Sequence, residues 1–471
     1  MIKRFYATKD NTITNAFDAE NSRATSANMG ESDILEVFSI YGQVSSSVGF
    51  SLEEARVIIE FDVAEIAADT TIPSNAKYFL RLFNAKHGST VPRGYQLEAH
   101  SVSGSWEEGV GLDMDDYLDL SYGLGSNWLL REALTAWDTE GGDVYANTSS
   151  AQTFTTGLED LEIDVTDQVA SWIDSSRVND GFMIKLPTSF TDGTQNRSFY
   201  TKKFFARGSE FFHKRPCLEV RWNSAIQDDR INFYTSSSLA PAADNLNTLY
   251  LYNYHRGQLV NIPDIDQGEI YVHLYDSIGG SELTQCVDTP ATGGWVETGI
   301  YTASVCIETT ASTLYDVWWS GSTQYHTGTI EAENPAALNQ LPETNYVVSV
   351  SNRHDEYKSD QTARFQLYIR SKNWSPNIFT VAASTPTTEV LENLHFKIVQ
   401  VVTQETIIDY DTTNNSTLLS YDSKGNYFDL DINMLEPNYA YEINLALFNV
   451  GTKTYDELPF KHKFRVVNNE Y

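Results

Sequence analysis

The sequence predicts an all-β, multi-domain protein built from sandwiches, and three observations carry that expectation. Tyr 27, Phe 23 and Trp 9 give 13% aromatic residues, while Met is only 5. Aromatic and β-branched side chains suit a pleated, half-buried surface better than a helix. Apolar and polar residues alternate at period 2 along many short segments, as in antiparallel strands with one face on a core. Gly, Asn, Asp and Ser break these segments at short intervals, as the turns of a sandwich require.

The elements follow in chain order. Val57, Ile59, Phe61 and Val63 point one way, with Arg56, Glu60 and Asp62 on the other face. Leu218, Val220 and Trp222 oppose Glu219 and Arg221. Ile270, Val272 and Leu274 oppose Tyr271, His273 and Tyr275, and Phe365, Leu367 and Ile369 oppose Arg364, Gln366 and Arg370. Two helices interrupt the strands. Asp164 is placed to cap one in which Val165, Val169, Trp172 and Ile173 share a face, ending near Ser175 and Ser176. A second, short helix is expected through residues 128–134. No heptad pattern or tandem repeat is present.

At about 100–200 residues per domain, 471 residues suggest two to four domains. A polar connector at residues 223–229 and an acidic, Pro-interrupted break at residues 331–335 mark two boundaries. The expected domains are 1–224, 225–333 and 334–471, the last two of the size of an immunoglobulin-like sandwich.

Charge excludes two partner classes. Against 32 basic residues stand 64 acidic ones, a net charge of −32 spread along the whole chain. Phosphate binding needs clustered Lys and Arg, so no nucleic acid is expected, and an anionic membrane surface is disfavoured equally. Lys3 and Arg4 are followed by no apolar run, so the amino terminus does not read as a secretory signal. No stretch approaches the roughly 18 apolar residues of a membrane span. Cys217, Cys286 and Cys306 are odd in number and lack CxxC spacing, suggesting neither zinc nor a disulfide framework. Cys286 and Cys306 could pair, but unpaired thiols in a reducing cytoplasm are the expectation.

Several short motifs then fall in a familiar order. They begin at Asn28-Met29-Gly30-Glu31-Ser32-Asp33-Ile34-Leu35 and continue through residues 56–62, 76–82 and 102–106. Trp137 with Gly141-Gly142-Asp143 comes next, then residues 163–172, then Asn179-Asp180-Gly181-Phe182, and finally Arg215-Pro216-Cys217-Leu218. In that order the first 222 or so residues resemble the DNRLRE (disaggregatase-related) β-sandwich module, which is similar to carbohydrate-binding modules of cell-surface proteins. The motif residues are caps, core positions and turns, so the resemblance implies architecture more than ligand. It departs from such modules in lacking a recognisable export signal. Residues 299–305, 363–370, 425–431, 435–443 and 460–466 read as immunoglobulin-like strands. They resemble virion structural proteins of large tailed bacteriophages, particularly marine ones. The implied fold is a jelly-roll-like β-sandwich followed by two immunoglobulin-like β-sandwiches.

Signs of chemistry are sparse. The nine His residues are scattered without HxxxH or HExxH spacing. Asp113, Asp115, Asp116 and Asp119 form the densest carboxylate run, a calcium candidate without EF-hand spacing whose bland reading is a solvated acidic loop. Asp138, Glu140 and Asp143 are a weaker one. No GxSxG elbow occurs, and neither Gly109-Val110-Gly111 nor Gly123-Leu124-Gly125-Ser126 completes a phosphate loop. Two carboxylates could make a glycosidase, but nothing singles out a pair. Trp106, Trp128, Trp137, Trp318, Trp319 and Trp374 could stack on sugar rings, although packing better explains Trp106, Trp137 and Trp172. Basic residues cluster at Lys202, Lys203, Arg207, Lys214 and Arg215, to meet an acidic neighbouring subunit or to edge a solvated loop.

The function expected is that of a non-enzymatic structural component of a tailed-bacteriophage virion, assembled in the host cytoplasm as a collar, tail, baseplate or fibre-attachment part. Its partners are expected to be other virion proteins and further copies of itself in a symmetric array, with no cofactor, metal or catalytic residue. The alternative is a carbohydrate-binding adhesin module recognising a host-surface glycan, and a third reading is a polysaccharide-degrading enzyme.

Overall fold

A computed structural model describes the chain except residues 19, 47–48, 87–91, 113–124, 147–148, 336–345, 376–377, 379–387 and 470–471. The acidic run of residues 113–119 and His87 therefore lie outside the described residues. The chain divides into two compact units, residues 1–223 with 433–436, and residues 224–432 with 437–471. The all-β sandwich architecture expected from the sequence is the one it adopts.

In the first unit the strand Ile2–Thr14 belongs to two sheets. Its first half, Ile2 to Tyr6, pairs antiparallel with Cys217–Arg221. From Ala7 to Thr14 it pairs instead with Gly49–Phe61, and the register shifts between Ala7 and Lys9. A strand that changes partners at a bulge turns the corner between two layers. Lys77–Leu82 and Leu161–Asp164 extend the first layer, while Phe182–Lys185, Tyr95–Ser101 and Ser150–Phe154 extend the second. Val57, Ile59, Leu80, Leu97, Leu218 and Val220 meet between the layers, each fully buried.

The second layer is covered on its other face as well. Ile13, Ile58 and Met183 pack there against Trp106, Trp128 and Trp137, all three indoles buried. The loops over this face are organised by Asn28, which is 1% exposed. Its Nδ2 donates to the Glu108 and Ser126 carbonyls, and its Oδ1 accepts from the Gly30 and Gly111 amides. A Cβ on Gly109 would lie 2.4 Å from the Asn28 side chain, so only Gly fits beside it. The glycines near residue 109 thus make room for an asparagine.

Three local expectations need correction. The residue before the second helix, Thr166–Ile173, is Val165, which makes no side-chain cap. Asp164 is still extended, paired with Phe79, so its carboxylate reaches only Thr166 through the amide and hydroxyl. Val165, Val169 and Trp172 are buried as expected, whereas Ile173 at the helix end is 36% exposed. Residues 128–134 form a hairpin of Leu130–Glu132 and Thr135–Ala136 instead of a helix. Asn127 Oδ1 takes the amides of Leu129 and Leu130, and Leu134 turns the chain at φ 68°. Finally, Val63 leaves the strand for a short helix, Val63–Ala68, which Asp62 caps by accepting from Ala64 and Glu65.

The second unit holds two sets of sheets. Strands from Phe233–Tyr234 to Ile330–Glu333 surround Leu249, Ile270, Val272, Tyr301 and Trp318. The remaining strands form a four-stranded sheet around Thr362–Ser371 and a five-stranded one around Ala440–Asn449. Phe396 stacks on Phe428 with centroids 4.3 Å apart, and Phe365 stacks on Phe428 at 5.1 Å.

Candidate functional site

One cluster of buried charge joins three strands of the first unit. Glu219, expected on an outward face, is 2% exposed. Its carboxylate receives Arg4 Nε at 2.6 Å, Arg221 Nε at 2.7 Å and Arg81 Nη1 at 3.2 Å. Burial alone would raise the Glu219 carboxyl; the three guanidinium groups outweigh it and hold it well below the usual carboxylate range. The opposite face of Cys217–Arg221 is therefore closed by Ile2–Thr14 and Lys77–Leu82 charges rather than by water.

The basic cluster is likewise absorbed. Lys202 is buried and donates to Asn84 Oδ1 and to the Gly157 and Glu159 carbonyls. Arg207 grips Glu108 with two nitrogens, at 3.0 and 2.8 Å, and Lys203 pairs with Glu36. Neither a solvated edge nor a free basic patch describes these three. Asp143 accepts from the amides of Asp138 and Thr139, which accounts for that carboxylate as a turn. Among the described residues no group of three His, Cys, Asp or Glu is arranged to hold a metal ion.

The indoles divide by depth. Trp106 Nε1 donates to the Asp180 carbonyl, Trp137 Nε1 to the Asn127 carbonyl and Trp318 Nε1 to Asp316 Oδ2, each fully enclosed. Trp319 is half-buried, and Trp374, at 37% exposure, lies under the Arg370 guanidinium.

One arrangement with room for a ligand lies in the second unit, where residues 225–232 run between its two sets of sheets. On one side Asp229 Oδ2 accepts from the Thr248 amide at 2.6 Å, and Arg230 reaches the Tyr250 carbonyl, Asp228 and the buried Asp316. On the other side the Tyr421 hydroxyl donates to Asp229 Oδ1, Gln227 bridges to Tyr421, and Gln227 and Asn232 both bond Glu392. The expected connector is thus a strap fastened at both edges. Burial pushes the Asp229 carboxyl up, against the Thr248 amide and the Tyr421 hydroxyl, and burial with Arg230 opposing leaves Asp228 up at about 6.

Beside the strap opens a cleft of about 610 Å³. Asn247 shapes it by bonding both the amide and the carbonyl of Tyr234, whose ring is left 41% exposed. Asn245 fastens Ser237 in the same way across the mouth. Asp229, Asp244 and Glu392 line the cleft together with Tyr234, Tyr250 and Tyr421, and among the described residues no Lys, Arg or His does. Such a surface suits a neutral polyhydroxyl ligand or a cation and repels phosphates. No residue of this cleft was singled out from the sequence. The signal present was Asp228-Asp229-Arg230, three charges inside a stretch that otherwise reads as a linker.

Comparison with protein-family models finds no match, and neither does comparison with curated proteins. Among solved structures, similarity extends to the N-terminal Ig1-2 module of the Drosophila receptor protein tyrosine phosphatase DLAR. That match has 7% identity and a TM-score of 0.15, covering 48% of this chain and 91% of that one. Adhesin InvE of Yersinia pseudotuberculosis has 12% identity and a TM-score of 0.15, covering 49% of this chain and 56% of InvE. Domains 5-6 of the S-layer protein SbsC have 10% identity and a TM-score of 0.18, covering 53% of this chain and 95% of that one. None of these likenesses carries a functional argument.

Proposed function

We propose that this chain is a non-enzymatic structural component of a tailed-bacteriophage virion, working through protein–protein contacts with virion proteins and with copies of itself. The observation that supports this reading is the strap. Asp229 is bonded at one oxygen to Thr248 and at the other to Tyr421, so residues 225–232 couple two sandwiches instead of letting them swing. A part that transmits geometry needs fixed modules; a flexible tether would serve an enzyme or a ligand-capturing arm equally well. The same reading takes residues 1–222 as a DNRLRE-like sandwich serving as scaffold. Its test is density-gradient fractionation of the source lysate, with each fraction blotted for this protein. Stoichiometric co-migration with intact particles through a high-salt wash is expected, and recovery only in soluble or envelope fractions would end it.

A second reading, glycan binding, is favoured by the cleft beside the strap, where amides, carboxylates and the exposed Tyr234 ring meet. Retention of the protein on a neutral polysaccharide column, lost in Tyr234→Ala, would establish it. Passage of both proteins at the void volume across a panel of host-surface glycans would remove it.

A further inference from the structure

We infer that Cys286 and Cys306 form a thiol pair built to close as a disulfide when the protein meets an oxidant. The two residues are cross-bridged by backbone: the Cys286 amide donates to the Cys306 carbonyl over 3.0 Å. Their side chains are hydrogen-bonded as well. A third segment holds the site together, because the Cys286 thiol donates to Ser236 Oγ at 3.2 Å and the Ser236 amide donates to the Ile307 carbonyl at 2.7 Å. Both thiols are free in this structure, Cys286 at the surface and Cys306 at 1% exposure.

The position has a mechanical meaning. Residues 287–305 contain the two paired strands Ala291–Glu297 and Ile300–Val305, so a bond between their flanks would staple the base of that hairpin. A disulfide acts chiefly by restricting the unfolded chain, and this one would also stop the hairpin from opening at its base. The inference stands apart from the virion reading, since it needs only the geometry of one sandwich.

The chemistry proceeds by exchange with a small disulfide such as oxidised glutathione. The exposed Cys286 thiolate attacks one glutathione sulfur, forming a mixed disulfide and releasing one glutathione thiolate. Cys306 then loses its proton to water and attacks the Cys286 sulfur, and the second glutathione thiolate leaves. Two protein thiols are oxidised by two electrons, and one glutathione disulfide is reduced to two thiols. Burial, together with the hydrogen bond that the Cys306 thiol donates to the Cys286 sulfur, pushes the Cys306 thiol up to about 11 in the reduced protein. The burial persists in the mixed disulfide, so the second step waits on a reluctant deprotonation and speeds as pH rises.

The experiment treats the full chain with oxidised glutathione at about pH 8, where exposed thiols react, and follows intact mass and non-reducing peptide maps. The expected product has lost two hydrogens, carries a Cys286–Cys306 peptide and keeps Cys217 reduced. Cys306→Ser should stop at a glutathione adduct on Cys286, and Cys286→Ser should not react. A wild-type protein that also stops at the Cys286 adduct would overturn the inference. So would a map linking Cys286 to Cys217 or to another chain, and because these readings use unmutated protein they decide the matter even if a variant misfolds.

Discussion

Tyr421 donates its hydroxyl to Asp229 Oδ1 over 2.6 Å, although the two residues stand 192 positions apart in the chain. The bond fastens the strap to the four-stranded sheet, while the other oxygen of the same carboxylate fastens it to Thr248. Tyr421→Phe removes one of those attachments and leaves a half-satisfied carboxylate. A cost of about 1–3 kcal/mol is expected, in the range for stranding a buried polar group. Asp229→Asn weakens both attachments, and combining the two substitutions should cost less than their sum. Urea unfolding of the four proteins measures this coupling, and strict additivity would show that the bond contributes nothing.

Glu219 makes the sharpest test of the buried charges. Glu219→Gln leaves Arg4, Arg81 and Arg221 around a neutral amide, a loss of about 3–5 kcal/mol of stability at neutral pH. The acid dependence has a definite sign. The folded carboxyl is held below its unfolded value, so its contribution is complete above about pH 4.5. That contribution fades as pH falls further, through the depressed folded value. The gap between wild type and Glu219→Gln should therefore be flat from neutral pH down to that point and narrow below it. A gap that stays constant into strong acid would refute the ion-pair account.

How legible these features were in the sequence depends on how local their causes are. Alternation exposed the strands at residues 56–61, 218–222, 270–275 and 365–369 because the period-2 pattern is a property of neighbours. The sequence at residues 130–136 suggests a helix because Leu129, Leu130 and Leu134 suit one, while an Asn127 turn and a positive φ at Leu134 make it a hairpin. Glu219 reads as outward-facing in the sequence because its strand gives no hint of Arg4, 215 residues away. The cleft and its strap were hidden for the same reason. Gln227 and Asp229 resemble linker residues until Glu392 and Tyr421 are brought beside them.

Asp10 should oppose Glu219 in its response to pH. It is 1% exposed, bonded at Oδ2 by the Arg207 amide, and lies near Glu108. Burial pushes its carboxyl up to about 7, more than the Arg207 amide pulls it down. Between about pH 4 and 7 the folded protein keeps a proton that the unfolded chain has released, so stability from this site falls as pH rises. Each tenfold displacement of that equilibrium is worth about 1.4 kcal/mol. Asp10→Asn mimics the protonated acid. Its stability relative to wild type should climb across that window and level off above it. A difference that does not vary with pH would show that Asp10 titrates as an ordinary carboxylate.

Tyr301 offers a test of the middle sandwich that involves no charge. Its ring is fully buried among Ile262, Ile265 and Trp318, and its hydroxyl joins a strand to a loop. The hydroxyl accepts from the Ile262 amide at 2.9 Å and donates to the Asp266 carbonyl at 2.7 Å. Tyr301→Phe keeps the packing and strands a backbone donor and acceptor together. The expected cost is about 2–4 kcal/mol, the sum of two modest bonds and their desolvation. Hydrogen exchange separates this from a general loss of packing. The Ile262 amide should lose protection in the variant while the strand amides of Glu269–Tyr275 keep theirs, because the sheet ladder does not pass through the hydroxyl. Equal loss of protection in the loop and that strand would mean that the hydroxyl supports the whole sandwich rather than the loop it bonds.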